Sequence, residues 1–211
     1  MSSRKTLRTI ISLSRSASPG PTPAFTAVHV SRAVMLIGDS GPIGRIELSR
    51  RLSLGEGAVR TIIKHLTVRN FVDSAKGGCV LTQRGMVIYK SLCSKLSEVH
   101  PVNARQLALD RSSACVLIRN SSAVVRRGIE QRDAAIRAGA TGACVLVYRN
   151  RKLVMPMKER EKWNLGSHDS LFEDLRKLFV PREGDVIVIV SAPNTGLAEH
   201  CSMAAALTLL G

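Results

Sequence analysis

The junction Ser53-Leu54-Gly55-Glu56 constrains the fold of this chain more than any other segment. A serine followed three residues later by a glutamate is the pattern of a capping box, which starts a helix. The residues after it place one apolar stripe at helical spacing, made of Val59, Ile62, Ile63 and Leu66. A short helical segment at 47–52 precedes the junction, so we expect two helices joined by a turn of three or four residues.

The face opposite that stripe is polar and basic, and two glycines stand in its first turn. Glycine is a poor helix former, and close approach to the backbone of another molecule is one reason to keep it. A second helix that exposes Arg, Thr and Lys after such a turn is the arrangement that enters the major groove of DNA. We interpret the following residues as candidate contacts to double-stranded DNA: Ser49, Arg50, Gly55, Gly57, Arg60, Thr61, Lys64, His65 and, at a hairpin tip, Lys76.

The flanking segments complete a winged helix. Residues 24–39 have apolar side chains at helical spacing and predict a first helix. Residues 71–74 and 79–82 flank Ala75-Lys76-Gly77-Gly78, which predicts a hairpin. Thr82 is a candidate N-cap for a last helix that runs through Leu96. We place this domain at 24–100.

Basic residues outnumber acidic ones by 31 to 16, a formal net charge of +15. Residues 1–100 hold 15 Lys/Arg and 5 Asp/Glu, a net charge of +10, whereas residues 101–211 have a net charge of +5. This asymmetry predicts a polyanionic partner for the first half, with nucleic acid ahead of an anionic membrane surface. A spanning helix needs an apolar run of about 18 residues, and no run here reaches that length, so we expect no membrane insertion.

Two stretches are predicted to be irregular. Residues 1–23 hold four basic residues, no acidic one, and a run of Ser, Pro and Gly. Proline removes a backbone donor and restricts the residue before it, so we expect a disordered basic arm. Such a start also resembles an organelle transit peptide, and that alternative stays open. Residues 101–111 are expected to link the first domain to a second one at 112–211.

The second domain mixes strands and helices. Apolar, β-branched runs at 114–118, 143–148 and 186–190 predict buried strands, and 152–157 predicts a further one. Helices are expected at 123–138, at 170–179 and at 197–210. In the second of these, four side chains are expected to face inward: Leu171, Phe172, Leu175 and Leu178. This order fits a small sheet covered by helices on one face. The fold class is therefore α+β, an N-terminal winged helix-turn-helix followed by a small two-layer α/β domain.

Two polar groups in the second domain are candidate ligand sites. Glu130, Arg132 and Asp133 share the polar face of a predicted helix and form either a solvated, salt-bridged surface or a contact for a small effector or a dimer partner. Asn194 and Thr195 follow a buried strand and precede a helix, where free amides can bind an anion. An ordinary capped turn is the alternative there.

Catalytic and metal-binding signatures do not emerge from the sequence. There is no P-loop, no G-x-G-x-x-G, no H-E-x-x-H and no nucleophile elbow. The five cysteines are an odd, widely spaced set without a C-x-x-C pair, which argues against a disulfide framework or a zinc ribbon and favours a reducing cytoplasm. We expect a cytoplasmic protein that is not an enzyme and has no cofactor or metal.

The segment from Leu48 to Tyr89 resembles the DNA-binding domain of winged helix-turn-helix transcriptional regulators. It is similar to the central glycolytic gene regulators and to metal- or ligand-responsive repressors, with its motif Ser-Leu-Gly-Glu-Gly-Ala-Val-Arg, a hairpin and Leu-Thr-x-x-Gly. With residues 128–136 in the second half, the whole chain resembles an archaeal family that joins a winged helix to a C-terminal domain of unknown function. The resemblance implies architecture for that second domain, not an activity.

These observations predict a sequence-specific, DNA-binding transcriptional regulator. We expect a homodimer, because one such helix reads few base pairs and two half-sites make a workable site. A small-molecule effector at the second domain is a further possible partner. Two alternatives stay open: a winged-helix scaffold that binds protein without reading DNA, and a small-molecule enzyme housed in the second domain.

Overall fold

The computed structural model describes residues 3–14, 24–107, 109, 112–156, 164–165 and 170–210. The chain divides into two compact units, Met1–Ser94 and Lys95–Gly211. The α+β class is confirmed, because the first unit is mainly helical and the second is built on a sheet. Within the described ranges, no helix is long and apolar enough to cross a membrane.

The N-terminal unit contains five helices and a hairpin among its described residues. The order of the elements after the first helix is that of a winged helix-turn-helix. The elements are α1 (Ser3–Ser14), α2 (Ala27–Ser40), α3 (Arg45–Leu52), α4 (Glu56–Val68), β1 (Val72–Ala75), β2 (Gly78–Leu81) and α5 (Gln83–Cys93).

Helix α1 shows that the expectation of a disordered arm was wrong for residues 3–14. Thr6, Ile10 and Leu13 are four and three residues apart, so they share one face, and all three are buried. The Thr6 hydroxyl lies 2.7 Å from Oγ of Ser91 on α5. The helical spacing was present in the sequence, but the Ser- and Arg-rich composition obscured it. Residues 15–23 of the expected arm lie outside the described residues.

The turn between α3 and α4 differs from the predicted capping box. Ser53 has a left-handed backbone (φ 54°) and ends α3, and its N–H donates to the Arg50 carbonyl at 3.3 Å. Helix α4 instead begins at Glu56. Its N-cap residue is Gly55, which is extended and has no side chain to accept a capping hydrogen bond. An N-cap residue is typically extended, and in this turn Gly55, not Ser53, has that conformation. The helix-turn-helix itself is present, with a turn at 53–55.

The hairpin forms where the sequence predicts it. Ala75 pairs with Gly78 across a Lys76-Gly77 turn. Ile43 forms an isolated β-bridge with the hairpin: its N–H donates to the Cys79 carbonyl at 3.2 Å, and its carbonyl accepts from the Cys79 N–H at 3.0 Å. A Cβ on Gly78 would overlap the Ile43 carbonyl, so the bridge requires glycine at that position.

The last helix of this unit confirms the predicted cap. The Thr82 hydroxyl accepts a hydrogen bond from the Gly85 N–H at 3.1 Å and donates to the Asn70 carbonyl at 2.7 Å. Helix α5 therefore has a defined start that is tied to the end of α4. It ends at Cys93, three residues before Leu96.

The C-terminal unit is built on a six-stranded sheet of order β3-β4-β8-β5-β6-β7 in which every neighbouring pair is antiparallel. Its elements are β3 (His100–Val102), β4 (Ser113–Ile118), α6 (Ile129–Arg137), β5 (Gly142–Arg149), β6 (Lys152–Val154), β7 (Asn164–Leu165), α7 (Ser170–Phe179), β8 (Val186–Ser191) and α8 (Thr195–Leu207). A 3₁₀ turn at Arg105–Leu107 and another at Thr208–Leu210 complete the unit.

Helices cover both faces of this sheet, not one face as expected. One face carries Cys115, Leu146 and Ile187, which pack against Phe172 and Leu175 of α7. Strand side chains alternate between faces, so Val116, Val145 and Val188 point the other way, toward α6 and α8. Helix α8 is rich in alanine and buried along most of its length, which lets it lie close to the strands. The three central strands β4, β5 and β8 are buried over most of their length because both faces are covered.

Three further expectations for this unit were wrong. Helix α6 begins at Ile129, not at 123, because Gly128 has a left-handed backbone (φ 73°) that ends the preceding turn. The expected linker at 101–111 contributes β3 to the edge of the sheet, where His100 pairs with Cys115. Leu178 is 41% exposed, whereas the other three side chains expected to face inward from α7 are buried. Met157, at the end of the predicted fourth strand, lies outside the described residues.

Candidate nucleic-acid interface

Helix α4 buries its apolar stripe and exposes two cations. Val59, Ile62 and Leu66 are at most 1% exposed. Arg60 and Lys64 stand one turn apart on the solvent side. Neither makes a hydrogen bond or an ion pair with any residue that the structure describes. Like charges at i and i+4 repel on an isolated helix, so this face is electrostatically suited to an anion from outside the chain.

Gly55 and Gly57 are exposed at the start of the same helix. A Cβ built on either one would meet no atom within 4 Å, and neither has a positive φ. Within the part of the chain that the structure describes, neither packing nor backbone conformation therefore requires glycine there. The space in front of the first turn is open to another molecule.

Two of the other candidates on α4 are turned toward the chain itself. A ring nitrogen of His65 lies 2.8 Å from the carbonyl oxygen of Leu13, and the ring packs edge-on against Phe25 with centroids 5.9 Å apart. The Thr61 hydroxyl donates to the Gly57 carbonyl at 3.0 Å. His65 is thus held in packing within the chain, and its role as a DNA contact stays a prediction. Thr61 is half-buried and offers at most an edge of its side chain.

The α3 candidates are also engaged within the chain. The Ser49 hydroxyl donates to the Leu54 carbonyl, which stabilises the turn before α4. Arg50 donates through two nitrogens to the carboxylate of Glu47, at 2.9 and 2.7 Å. That hydrogen-bonded guanidinium lowers the pKa of Glu47. Both Arg50 and Glu47 remain accessible, so Arg50 can exchange this partner for a phosphate at small cost.

The hairpin tip supplies a further exposed cation, Lys76, as predicted from the Gly-Gly turn. Arg45 is a residue that the sequence analysis missed. Arg45 is the first residue of α3 and follows Gly44. Gly44 lies beside the hairpin tip, since a Cβ added to it would be 4.0 Å from the carbonyl oxygen of Gly77. Neither Lys76 nor Arg45 has a charged or hydrogen-bonded side-chain partner among the described residues. Only the Ile43–Cys79 bridge brings Arg45 to the hairpin, and no local sequence pattern signals that bridge.

The two candidate groups of the C-terminal unit lie at opposite ends of a helix pair. Near the start of α6, Gln131 donates to the Thr208 hydroxyl at 2.9 Å, just past the end of α8. At the other end, a Cβ on Gly139 would lie 3.5 Å from Leu197, near the start of α8. Glu130, Arg132 and Asp133 therefore do not share a site with Asn194 and Thr195.

The Asn194 side chain accepts a hydrogen bond from the Leu197 N–H at 2.9 Å, so Asn194 is the N-cap of α8 in an ordinary capped turn. Thr195 follows it and is exposed. Glu130, Arg132 and Asp133 are exposed on α6, as a solvated face would be.

The buried thiols of this unit are held protonated. Burial raises the pKa of Cys115 and of Cys144 to about 12, and that of Cys201 to about 11. A thiol reacts as its thiolate, so these three side chains act as apolar packing groups at neutral pH. Among the described residues, no group of three or more His, Cys, Asp or Glu side chains is placed to hold a metal ion.

Comparisons with known proteins match both parts of the chain. Residues 33–87 match the family model of the PH0730-like N-terminal domain. Residues 109–209 match the model of a domain of unknown function, DUF4443. The two matches fall in the two halves of the chain, and the description of the second model gives no activity. No curated protein matches.

A solved structure is similar to this chain over most of its length. The hypothetical protein PH0730 from Pyrococcus horikoshii OT3 is 26% identical, with a TM-score of 0.64. The match covers 86% of this chain and 91% of that one. The similarity therefore extends over both domains, and it carries no activity, since that protein is itself described as hypothetical.

Proposed function

We propose that this protein is a sequence-specific, double-stranded-DNA-binding transcriptional regulator. The observation that carries the proposal is the outer face of α4. Arg60 and Lys64 stand there without a described partner, and the two glycines before them are not required by any contact among the described residues. A winged helix-turn-helix lays this helix in the major groove, and glycine at its start lets the helix backbone approach the DNA.

The distribution of charge supports the same function. The first 100 residues have a net charge of +10, and cations that neutralise phosphates provide most of the sequence-independent affinity for DNA. Lys76 and Arg45, at the hairpin and at the start of α3, supply flanking phosphate contacts in this proposal. The protein acts as a homodimer in the cytoplasm and reads two half-sites.

The test is duplex affinity of the full chain against salt concentration. We expect the Lys64→Ala variant to bind more weakly and to lower the slope of log K against log [salt] by about 1, the effect of one phosphate contact. The matched control is Lys90→Ala, an exposed lysine on α5, which should leave the slope unchanged. Equal slopes for the wild-type chain and both variants would contradict the proposal.

Sequence specificity is tested by selecting fragments from a random duplex pool with the full chain. An enriched motif with two inverted half-sites is the expected result. Retention without enrichment would show a non-specific binder and would overturn the specific part of the proposal.

A protein-binding winged helix is the second candidate. It is favoured by Ile46 and Val68, large apolar side chains on α3 and α4 that are 74% and 76% exposed. A module of this kind would show little salt-sensitive retention on duplex DNA, so the salt titration separates it from the first candidate.

A further inference from the structure

The C-terminal unit contains an open cavity of about 560 Å³ that no sequence motif indicated. It lies between the segment that precedes α6 and the β5–β6 hairpin. Pockets for small molecules have volumes of about 300–1,000 Å³, so its size suits a small organic ligand. Its lining combines three cations with apolar and neutral polar groups: Ser122, Val125, Arg126, Val147, Arg149, Asn150, Lys152, Val154, Met155 and Pro156.

The register of the β5–β6 hairpin explains why the cavity has two chemically different ends. Val147 pairs with Val154, and Arg149 pairs with Lys152. Side chains two residues apart on a strand share a face, so all four project from the same face of the hairpin. The apolar pair forms one end of this face, and the cationic pair forms the other.

The cationic end is electrostatically incomplete. Arg149 and Lys152 stand directly opposite each other, and like charges in cross-strand pairs destabilise a sheet. Arg126 adds a third positive charge from the opposite wall. None of the three makes an ion pair or side-chain hydrogen bond with the residues described. The carboxylate of Glu183 accepts a hydrogen bond at 3.0 Å from the backbone N–H of Asn150, next to Arg149 in the chain.

We propose that this cavity binds a small organic anion, with its phosphate or carboxylate group between Arg126, Arg149 and Lys152 and its apolar body against Val147 and Val154. Charge-assisted hydrogen bonds from Arg and Lys to such a group are among the strongest polar contacts in proteins. The apolar end formed by Val147 and Val154 distinguishes the cavity from a surface that contacts only the phosphates of a nucleic acid. The proposal does not depend on DNA binding by α4.

The test uses 8-anilinonaphthalene-1-sulfonate, an aromatic anion whose fluorescence rises when it binds an apolar site, with the full chain. The variant is Arg149→Gln/Lys152→Gln. We expect its affinity for the probe to fall at least roughly tenfold, because each lost hydrogen bond to a charged group has a large effect. Inorganic pyrophosphate should displace the probe from the wild-type protein, because it competes for the cationic end.

The matched control is Arg137→Gln/Lys177→Gln, which removes the same charge from exposed positions of the same unit away from the cavity. It should change the probe affinity less than about twofold, since long-range effects of exposed charges are screened by salt. All four residues are exposed, so both variants are expected to fold, and a thermal unfolding curve checks this.

Three results would overturn the proposal. One is an equal loss of probe affinity in both double variants, which would indicate net charge alone. Another is retention of the probe by wild-type protein in excess pyrophosphate. The third is unchanged probe binding in Arg149→Gln/Lys152→Gln. A loss of duplex affinity in the same variant would then make this surface a nucleic-acid contact instead.

Discussion

Two charged groups of this protein, one in each unit, are arranged in opposite ways. In the C-terminal unit, the carboxylate of Asp185 is 3% exposed and is surrounded by donors. Arg119 donates to it at 2.6 Å, and the backbone N–H groups of Asn120 and Arg182 donate at 2.8 Å each. In the N-terminal unit, Arg60 and Lys64 are exposed and have no described partner. The first arrangement stabilises loops of the chain itself, and the second leaves charge available to another molecule.

The glycines show the same contrast within the N-terminal unit. Gly78 and Gly85 are required internally, because a Cβ on either would overlap a backbone carbonyl, of Ile43 or of Phe71 respectively. Gly55 and Gly57 face open space. Glycine lowers the stability of a helix. A helical glycine that no internal contact requires therefore indicates a binding surface better than a glycine that packing requires.

The largest effect is expected from removing the Asp185 carboxylate, which tests whether it stabilises the fold through Arg119 and the two backbone N–H groups. Asp185→Ala leaves two backbone amides and the Arg119 guanidinium without their acceptor. Breaking a buried ion pair typically costs 3–5 kcal/mol, and Arg119 is partly exposed, so we expect the free energy of unfolding to fall by about 3 kcal/mol. Urea denaturation measures this. The control Asp133→Ala, on the exposed face of α6, should change it by less than about 0.5 kcal/mol.

A loss below about 1 kcal/mol in Asp185→Ala would break the comparison, because that is the range of an exposed ion pair. The Arg119–Asp185 pair would then stabilise the fold no more than an exposed ion pair does.

An intermediate effect is expected at the start of α5. Thr82→Ala removes the acceptor for the Gly85 N–H, and N-cap substitutions of this kind cost about 1 kcal/mol. Thr67→Ala, at an exposed position in the last turn of α4, is the control and should cost less than about 0.5 kcal/mol. Thermal unfolding of the two variants compares them. Equal stabilities of Thr82→Ala and Thr67→Ala would show that the Thr82 hydrogen bond does not stabilise the start of α5.

The smallest effect on stability, with an opposite effect on binding, is expected for Gly57→Ala. Alanine is the better helix former and meets open space at this position, so we expect the free energy of unfolding to rise by about 0.5 kcal/mol. Duplex affinity should fall, because the added methyl group stands where the helix approaches DNA in the proposed function.

Gly196→Ala is a closely matched control, since Gly196 occupies the same second position of α8 that Gly57 occupies in α4. It should give a similar small stabilisation and leave duplex affinity unchanged. An unchanged duplex affinity in Gly57→Ala would mean that the open space before α4 is not part of the interface.

Much of the N-terminal unit was predictable because its elements are local. The spacing of Val59, Ile62 and Leu66 determined the buried face of α4, and the Thr82 cap determined the start of α5. The prediction of a capping box at Ser53 was wrong because the same residue can end one helix instead of starting the next. Only the backbone conformation distinguishes these two uses.

The sequence by itself determined most of the elements and their order, with exceptions that include α1 and β3, together with the mixed class and the excess of positive charge. Helical periodicity, β-branched runs and composition are properties of neighbouring residues. The tertiary structure decided which polar side chains are available. It brought His65 into contact with Leu13 and placed Arg45 at the hairpin through the Ile43 bridge. It also paired Arg149 with Lys152 in the cavity that Arg126 lines. These relations join residues far apart in the chain or depend on strand register, which no local pattern encodes.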